Sequence, residues 1–367
     1  MSEKIKILIV DDSSFMRNIL GRLLDKDGRF EVVGKAKDGA EGVEMVKSLH
    51  PDVVTMDIEM PRMNGIEALK LIMKDCPTPV VMVSSLTKEG ATATLEAMDF
   101  GAVDFIPKAM DSGATSVLMS SGVLMDKIYA AAKVRMSRSL RQPLVAKAYP
   151  AIKPKIETAK KPLDSTPGLR KTFPRLGLPT AKLFIIGSST GGPRALQSVI
   201  PLLPENLRVP VVVAQHMPEH FTGPMAERLN SISKVKVVEA KDGDILEAGT
   251  VYIAPGGVHT RVLKGVSSLK LSVNPDKGGE CVYKPSVDIL TSSATEAVGG
   301  AALAMMLTGM GSDGAKGFDK LKGNGGYILA QDEQSCIVYG MPKSVAHIAD
   351  EVLPLDDMIS AVIRLIG

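Results

Sequence analysis

Apolar residues in the first third of the chain alternate between two rhythms. Short runs of strand character, Ile5–Val10, Phe30–Ala36, Val53–Met56, Pro79–Ser84 and Val103–Ile106, are separated by segments of helical period. In the first such segment Met16, Ile19, Leu20, Leu23 and Leu24 keep the spacing of one buried helix face, and Ser13 or Ser14 is placed to cap it. Five β/α units in succession predict an α/β domain over residues 1–132, a doubly wound five-stranded parallel sheet. From about Lys133 to Lys182 both rhythms stop. Prolines recur at Pro143, Pro150, Pro154, Pro162, Pro167, Pro174 and Pro179, basic residues are dense, and Glu157 and Asp164 are the only acids. That composition predicts an extended basic, proline-rich tether over 133–180. Over 181–367 strand runs resume, among them Phe184–Ile186, Val211–Gln215 and Ala302–Leu307. They predict a second α/β domain of three layers with a mostly parallel sheet.

Composition narrows this picture without redrawing it. The 367 residues are 45% hydrophobic and 23% charged, with no tryptophan, which suits helix-and-sheet domains. A formal charge of +3 is too small to imply nucleic acid as a partner of the whole chain, and the tether has few aromatics for base stacking. Cys76, Cys281 and Cys336 are scattered and odd in number, against a disulfide framework or structural zinc and in favour of a reducing compartment. The N-terminal run follows no basic segment, and no apolar stretch approaches the roughly 20 residues of a membrane span. A cytoplasmic, soluble protein without membrane insertion is expected.

In doubly wound sheets functional groups gather at the carboxyl ends of the strands. Here those ends carry Asp11 and Asp12, Asp57, Ser84 and, after the fifth run, Lys108. Neighbouring carboxylates repel unless a cation joins them, and a hard ion with oxygen ligands such as Mg²⁺ answers that need. Lys108 and the Ser84 hydroxyl then suit a phosphoryl group placed on one carboxylate. Each acid alone would be an ordinary solvated loop residue; their convergence argues otherwise.

The second domain opens with a different signal. Phe184-Ile185-Ile186 runs into Gly187-Ser188-Ser189-Thr190-Gly191-Gly192, and Pro193 heads a helical pattern. The spacing fits G-x-S-x-G, the strand–turn–helix elbow that holds a nucleophilic serine outward at a helix N-terminus. A serine nucleophile needs a base and an acid to orient it. Of the five histidines, His216 ends the run Val211–Gln215, on the same rim of a parallel sheet as Ser189, whereas His220 starts the next helix and could simply face solvent. The acid is sought at a third strand end. After Ala302–Leu307 comes Thr308-Gly309-Met310-Gly311-Ser312-Asp313-Gly314, nominally a dinucleotide fingerprint with Asp332 about 20 residues on. An aspartate ahead of the third glycine would face the pyrophosphate, and that reading leaves Ser189 and His216 without work. The triad reading uses every piece: Asp313 orients His216, and the glycine-rich backbone at Met310 offers an N–H to an oxyanion.

Two resemblances emerge from these motifs. Val10-Asp11-Asp12-Ser13, Asp57 with Met60-Pro61-Arg62-Met63-Asn64-Gly65, Ser84-Ser85 and Phe105-Ile106-Pro107-Lys108 resemble the receiver domain of two-component response regulators. The likeness implies that Asp57 accepts the phosphoryl group, that Asp11, Asp12 and Asp57 hold Mg²⁺, and that Ser84 and Lys108 sense phosphorylation. Ser189-Thr190-Gly191-Gly192, Gln215-His216-Met217-Pro218, Tyr252-Ile253-Ala254-Pro255-Gly256, Pro285-Ser286-Val287-Asp288 and the segment Leu307–Gly314 resemble the catalytic domain of CheB-type protein-glutamate methylesterases. That implies hydrolysis of glutamate methyl esters on chemoreceptors with release of methanol, deamidation of receptor glutamines, a chemotaxis histidine kinase as phosphodonor, and no cofactor for the esterase step. It also implies that the unphosphorylated receiver packs over the catalytic rim. The rival, a phosphorylation-gated DNA-binding module, would need a helix-turn-helix or similar reader after the receiver, and none is legible.

Overall fold

The computed structural model describes residues 4–108, 121–134, 136, 181–275 and 283–366. The predicted tether over 133–180 and Cys281 therefore lie almost wholly or wholly outside the described residues. The first domain runs β1 (Ile5–Val10), α1 (Ser14–Lys26), β2 (Phe30–Ala36), α2 (Gly39–Leu49), β3 (Val53–Asp57), α3 (Gly65–Asp75), β4 (Val80–Ser85), α4 (Lys88–Asp99), β5 (Asp104–Lys108) and α5 (Ser121–Ala132). All four strand pairings are parallel and the order is β2-β1-β3-β4-β5. The connection reverses direction between β1 and β3, so the carboxyl ends of these two strands flank the switch point. Ser13 caps α1 by accepting from the Met16 amide. Of the predicted apolar face of α1, Leu20 and Leu24 are fully buried, while Met16, Ile19 and Leu23 sit half-buried at its margins.

The second domain continues with β6 (Leu183–Ser188), α6 (Gly192–Val199), β7 (Val211–Gln215), α7 (Glu219–Ile232), β8 (Lys236–Glu239), β9 (Thr250–Ile253), β10 (His259–Lys264) and β11 (Leu269–Asn274). It closes with α8 (Val287–Val298), β12 (Ala302–Met306), α9 (Ala315–Gly323), β13 (Tyr327–Gln331), α10 (Met341–Val345), β14 (Glu351–Leu353) and α11 (Leu355–Ile366). Seven strands form one sheet in the order β14-β13-β12-β6-β7-β9-β8, every pairing parallel, and β10 and β11 form a separate antiparallel hairpin. Strands buried on both faces read as continuous apolar runs, which is why Leu183–Ile186 and Ala302–Met306 show no alternation. Phe184 and Ile186 face one apolar layer with α6, α7 and α11; Leu183 and Ile185 face the other with α8, α9 and α10. The three-layer expectation holds. Among the described residues no helix is long and apolar enough to cross a membrane.

The two domains share packing. Phe105 of β5 stacks on Phe221 of α7 with ring centroids 4.5 Å apart, and one apolar cluster runs through both. Helix α4 lies against α7 and α6. Asp99, at the end of α4 and wholly buried, is ion-paired with Arg228 of α7.

Candidate active site and phosphoryl-acceptor pocket

The chain leaves β6 towards β7, β8 and β9 on one side and returns to β12, β13 and β14 on the other, so the switch point of the large sheet falls between β6 and β12. The three adjacent strands β12, β6 and β7 end beside it, and each is followed by one of the predicted catalytic side chains. Ser188 pairs with Gln215 at the ends of β6 and β7, which sets Ser189 and His216 side by side in the loops beyond. The His216 amide donates to the Ser188 carbonyl at 3.1 Å, and the Ser189 amide donates to the Thr308 carbonyl at 3.1 Å. Backbone pairing therefore fixes the spacing before any side chain is considered.

Gly191 ends the turn after Ser189 with φ of 77°, a left-handed conformation that favours glycine, and α6 begins at Gly192 with Pro193 in its first turn. Ser189 is buried to 7% exposure at the mouth of this elbow. Gly309 comes so close that an added β-carbon would lie 2.9 Å from Ser189 Cβ, so the Thr308–Gly311 backbone approaches the serine as no larger residue would allow. Among the described residues the Met310 N–H in that backbone has no hydrogen-bond partner.

His216 and Asp313 meet directly. His216 Nε2 lies 2.7 Å from Asp313 Oδ2, and His216 Nδ1 is buried with no hydrogen-bond partner among the described residues. The ring thus presents Nε2 to the acid and keeps Nδ1 for a proton from elsewhere. Asp313 is held at the N-terminus of α8. Its Oδ1 accepts from Ser286 Oγ at 2.9 Å and from the Asp288 amide at 3.1 Å, and its Oδ2 accepts from the Val287 amide at 2.7 Å. Burial pushes the Asp313 carboxyl up, but His216 and the amides of Val287 and Asp288 outweigh it and hold the group below the usual carboxylate range.

One residue absent from the sequence-level site ties these parts together. Gln215 accepts from Ser188 Oγ at 2.7 Å and donates from Nε2 to the carbonyls of Ser189, at 2.9 Å, and His216, at 3.1 Å. It clamps both loop starts. Its place beside His216 was visible in the sequence; its side-chain partners were not, because they arise from strand register.

In the first domain Asp57, the last residue of β3, receives Lys108 Nζ at 2.6 Å, and Lys108 also reaches Asp11 at 3.3 Å. Burial raises Asp57 to about 6 against the pull of Lys108. Asp11, Asp12 and Asp57 each offer an oxygen within 4.8 Å of the others, and one lysine, Lys108, is shared between Asp11 Oδ2 and Asp57. An all-oxygen donor set with spare, partly desolvated charge fits a hard divalent ion. Ser84 is oriented elsewhere: its hydroxyl donates to the Gly90 carbonyl in α4 at 3.0 Å.

The two sites are joined through β5. Lys108 ends the strand, and Asp104 begins it; Asp104 accepts from Thr190, next to Ser189, at 2.6 Å and from Lys127 at 3.0 Å. Arg194 of α6 donates to the carbonyl of Met98 at 3.4 Å, and Ile337, beside the elbow glycine, packs on the first domain's apolar cluster. The first domain therefore lies against the elbow itself.

The arrangement joins an acidic, lysine-paired pocket to a sheet rim that carries Ser189, His216 and Asp313. Residues 184–362 match the family model for CheB methylesterase, and residues 7–116 match the response regulator receiver domain. The chain belongs to the CheB methylesterase family, in the form that carries a receiver domain ahead of the catalytic one. It is 45% identical over 99% of both chains to protein-glutamate methylesterase/protein-glutamine glutaminase 1 of Oleidesulfovibrio alaskensis. It is 44% identical to the protein-glutamate methylesterase/protein-glutamine glutaminase of Lawsonia intracellularis, over 96% of this chain and 97% of that one. Among solved structures, the catalytic domain of Thermotoga maritima CheB methylesterase is 42% identical, covering 50% of this chain and 98% of its own, with a TM-score of 0.49.

Proposed function

We infer that this chain is a phosphorylation-activated protein-glutamate methylesterase and protein-glutamine glutaminase that serves adaptation in chemotaxis. The observation that carries the reading is the full-length likeness to enzymes of that name, 45% identical over 99% of both chains. Geometry supports the division of labour. Ser189 Oγ attacks the γ-ester carbonyl while His216 Nδ1, the nitrogen left free by Asp313, takes its proton. Asp313 stabilises the resulting imidazolium, and the Met310 N–H faces the developing oxyanion. His216 returns the proton to the leaving oxygen and methanol departs. Water, deprotonated by the same imidazole, then cleaves the acyl-serine and leaves glutamate. With a glutamine substrate the leaving group is ammonia.

The proposed organisation is a receiver over 1–132, a tether over 133–180 and the esterase over 181–367. In the receiver Asp57 accepts the phosphoryl group from a histidine kinase, Ser84 and Lys108 sense it, and Asp11, Asp12 and Asp57 would hold Mg²⁺, which when bound would offset the phosphoryl charge. Substrates are methylated or glutamine-bearing chemoreceptor segments on the cytoplasmic side, where the chain is placed without membrane insertion. The receiver packed against Thr190, Arg194 and α7 is the restrained form; moving such an equilibrium from 1:99 to 99:1 takes about 5.5 kcal/mol of differential stabilisation. Mass spectrometry of receptor peptides incubated with the chain tests the reading. Conversion of methyl-glutamate and glutamine sites to glutamate is expected, and unchanged peptides from an enzyme with an intact, accessible Ser189 would overturn it.

A further inference from the structure

Tyr283 lies flat on His216, with ring centroids 4.4 Å apart and planes 3° from parallel. We propose that Tyr283 is a positioning residue for the reaction, one that fixes the plane of the His216 ring and stabilises its protonated form. The inference rests on His216 being the base.

Tyr283 belongs to the same short segment that holds the acid. Three residues on, Ser286 donates to Asp313, and the next two amides, of Val287 and Asp288, complete that carboxylate's partners. The segment is pinned to the rim by the Gly257 amide, which donates to the Lys284 carbonyl at 3.3 Å. One stretch of chain therefore sets both the acid behind the imidazole and the aromatic wall on its face. The phenol hydroxyl also lies near Gly311, where an added β-carbon would be 3.4 Å from it.

The chemistry follows from what His216 must do. Its two nitrogens serve two partners only while the ring stays in one plane. Rotation about the Cβ–Cγ bond would lift Nε2 from Asp313 and turn the unpaired Nδ1 out of the place where it would receive the serine proton. A parallel aromatic ring on one face resists that rotation by steric contact. When His216 takes the serine proton it becomes a cation beneath an electron-rich face, an interaction stronger for imidazolium than for imidazole. The stabilisation is thus greater on the way to the transition state than in the resting enzyme, the condition for raising kcat.

The test uses the full chain, Tyr283→Phe, Tyr283→Leu and Tyr283→Met, with His216→Gln as reference. Methanol release from methylated receptor membranes gives kcat and KM, and labelling of Ser189 by a fluorophosphonate gives the nucleophile's reactivity without receptor. Tyr283→Phe should stay within about twofold of the parent. Tyr283→Leu and Tyr283→Met should each lose roughly tenfold in kcat, equivalent to about 1.4 kcal/mol in the barrier, with KM little changed. Fluorophosphonate labelling should slow in proportion, and the His216 ring protons should move downfield as the aromatic ring current is lost. Equal losses in Tyr283→Phe and Tyr283→Leu, or an effect confined to KM, would overturn the proposal. So would undiminished labelling in both aliphatic variants. Activity surviving in His216→Gln would instead bring down the assignment of the base. If Tyr283→Leu fails to fold, Tyr283→Phe still decides, because a phenylalanine keeping less than a fifth of parental kcat contradicts a role for the stacked ring.

Discussion

Thr190 Oγ1 donates to Asp104 Oδ2 across 2.6 Å, joining the residue after the proposed nucleophile to the strand that ends in Lys108. Both side chains are buried. A hydrogen bond to a charged acceptor is worth about 1.5–3 kcal/mol. This one exists only while the two domains are packed together, so its loss favours their separation. Thr190→Val and Asp104→Asn should each raise the unphosphorylated methylesterase rate several-fold, up to roughly tenfold, and shrink the stimulation by a phosphodonor by the same factor. The pair combined should add little to the release seen in either alone, since both weaken the same contact between the domains, while the Lys127–Asp104 ion pair that Asp104→Asn also loses lies within the first domain. A resting rate unchanged in both variants would mean that this contact does not contribute to restraint.

As the proposed phosphoryl acceptor, Asp57 would make phosphorylation pH-dependent in a defined direction. Burial raises its carboxyl to about 6, and only the ionised form attacks a phosphodonor. Labelling by a small phosphodonor at low Mg²⁺ should rise as pH passes upward through about 6. High Mg²⁺ should move the midpoint down, because the ion favours the carboxylate. The same shift is a stability statement. A carboxyl raised in the folded state favours folding below its unfolded value near 4 and loses that contribution as pH climbs through about 6. Asp57→Asn should therefore melt higher than the parent at pH 8 in the absence of Mg²⁺, with the difference gone near pH 4. A parent that melts as high as Asp57→Asn at pH 8 would contradict the desolvated pocket.

Asp313 has the opposite sign. Its carboxyl is held below the usual range, so its contribution to stability is complete above about pH 4 and is lost as pH falls through the lower folded value. Asp313→Asn should lower kcat by roughly 10³–10⁴-fold with little change in receptor binding. A loss below tenfold would remove Asp313 from the triad.

Gln215 offers a test of the rim itself. Its side chain accepts from Ser188 and donates to the carbonyls of Ser189 and His216, and it is buried. Gln215→Ala leaves those groups unpaired at a cost of about 1–3 kcal/mol in stability. Methylesterase kcat should fall at least tenfold even at temperatures where the variant is fully folded. Retained kcat would show that strand register alone places Ser189 and His216.

Much of this was legible in the chain because the proposed functional groups sit at strand ends. Asp11 and Asp57 in the first sheet, and Ser189, His216 and Asp313 in the second, each follow or close an apolar run, and each parallel sheet sends such ends to one rim of its own. The neighbourhood of β12, β6 and β7 was not legible. It depends on which way the chain turns after β6, and no local pattern records that choice. The same limit hid Gln215 and Tyr283: one reads as the last residue of an ordinary strand, the other as an aromatic ahead of a proline. The orientation of Ser84 towards Gly90 was equally hidden, since it reflects how α4 packs rather than where β4 ends. The contact of Asp104 with Thr190 spans 86 positions and exists only through the docking of two folded domains.

The most direct measurement is methanol release from methylated receptor membranes by the parent, Ser189→Ala and Asp57→Asn, each with and without a small phosphodonor and Mg²⁺. The expected result is release by the parent that rises with phosphodonor, none from Ser189→Ala, and an unstimulated basal rate from Asp57→Asn. Undiminished release from Ser189→Ala, or full stimulation of Asp57→Asn, would contradict the assignment of nucleophile or of phosphoryl acceptor respectively.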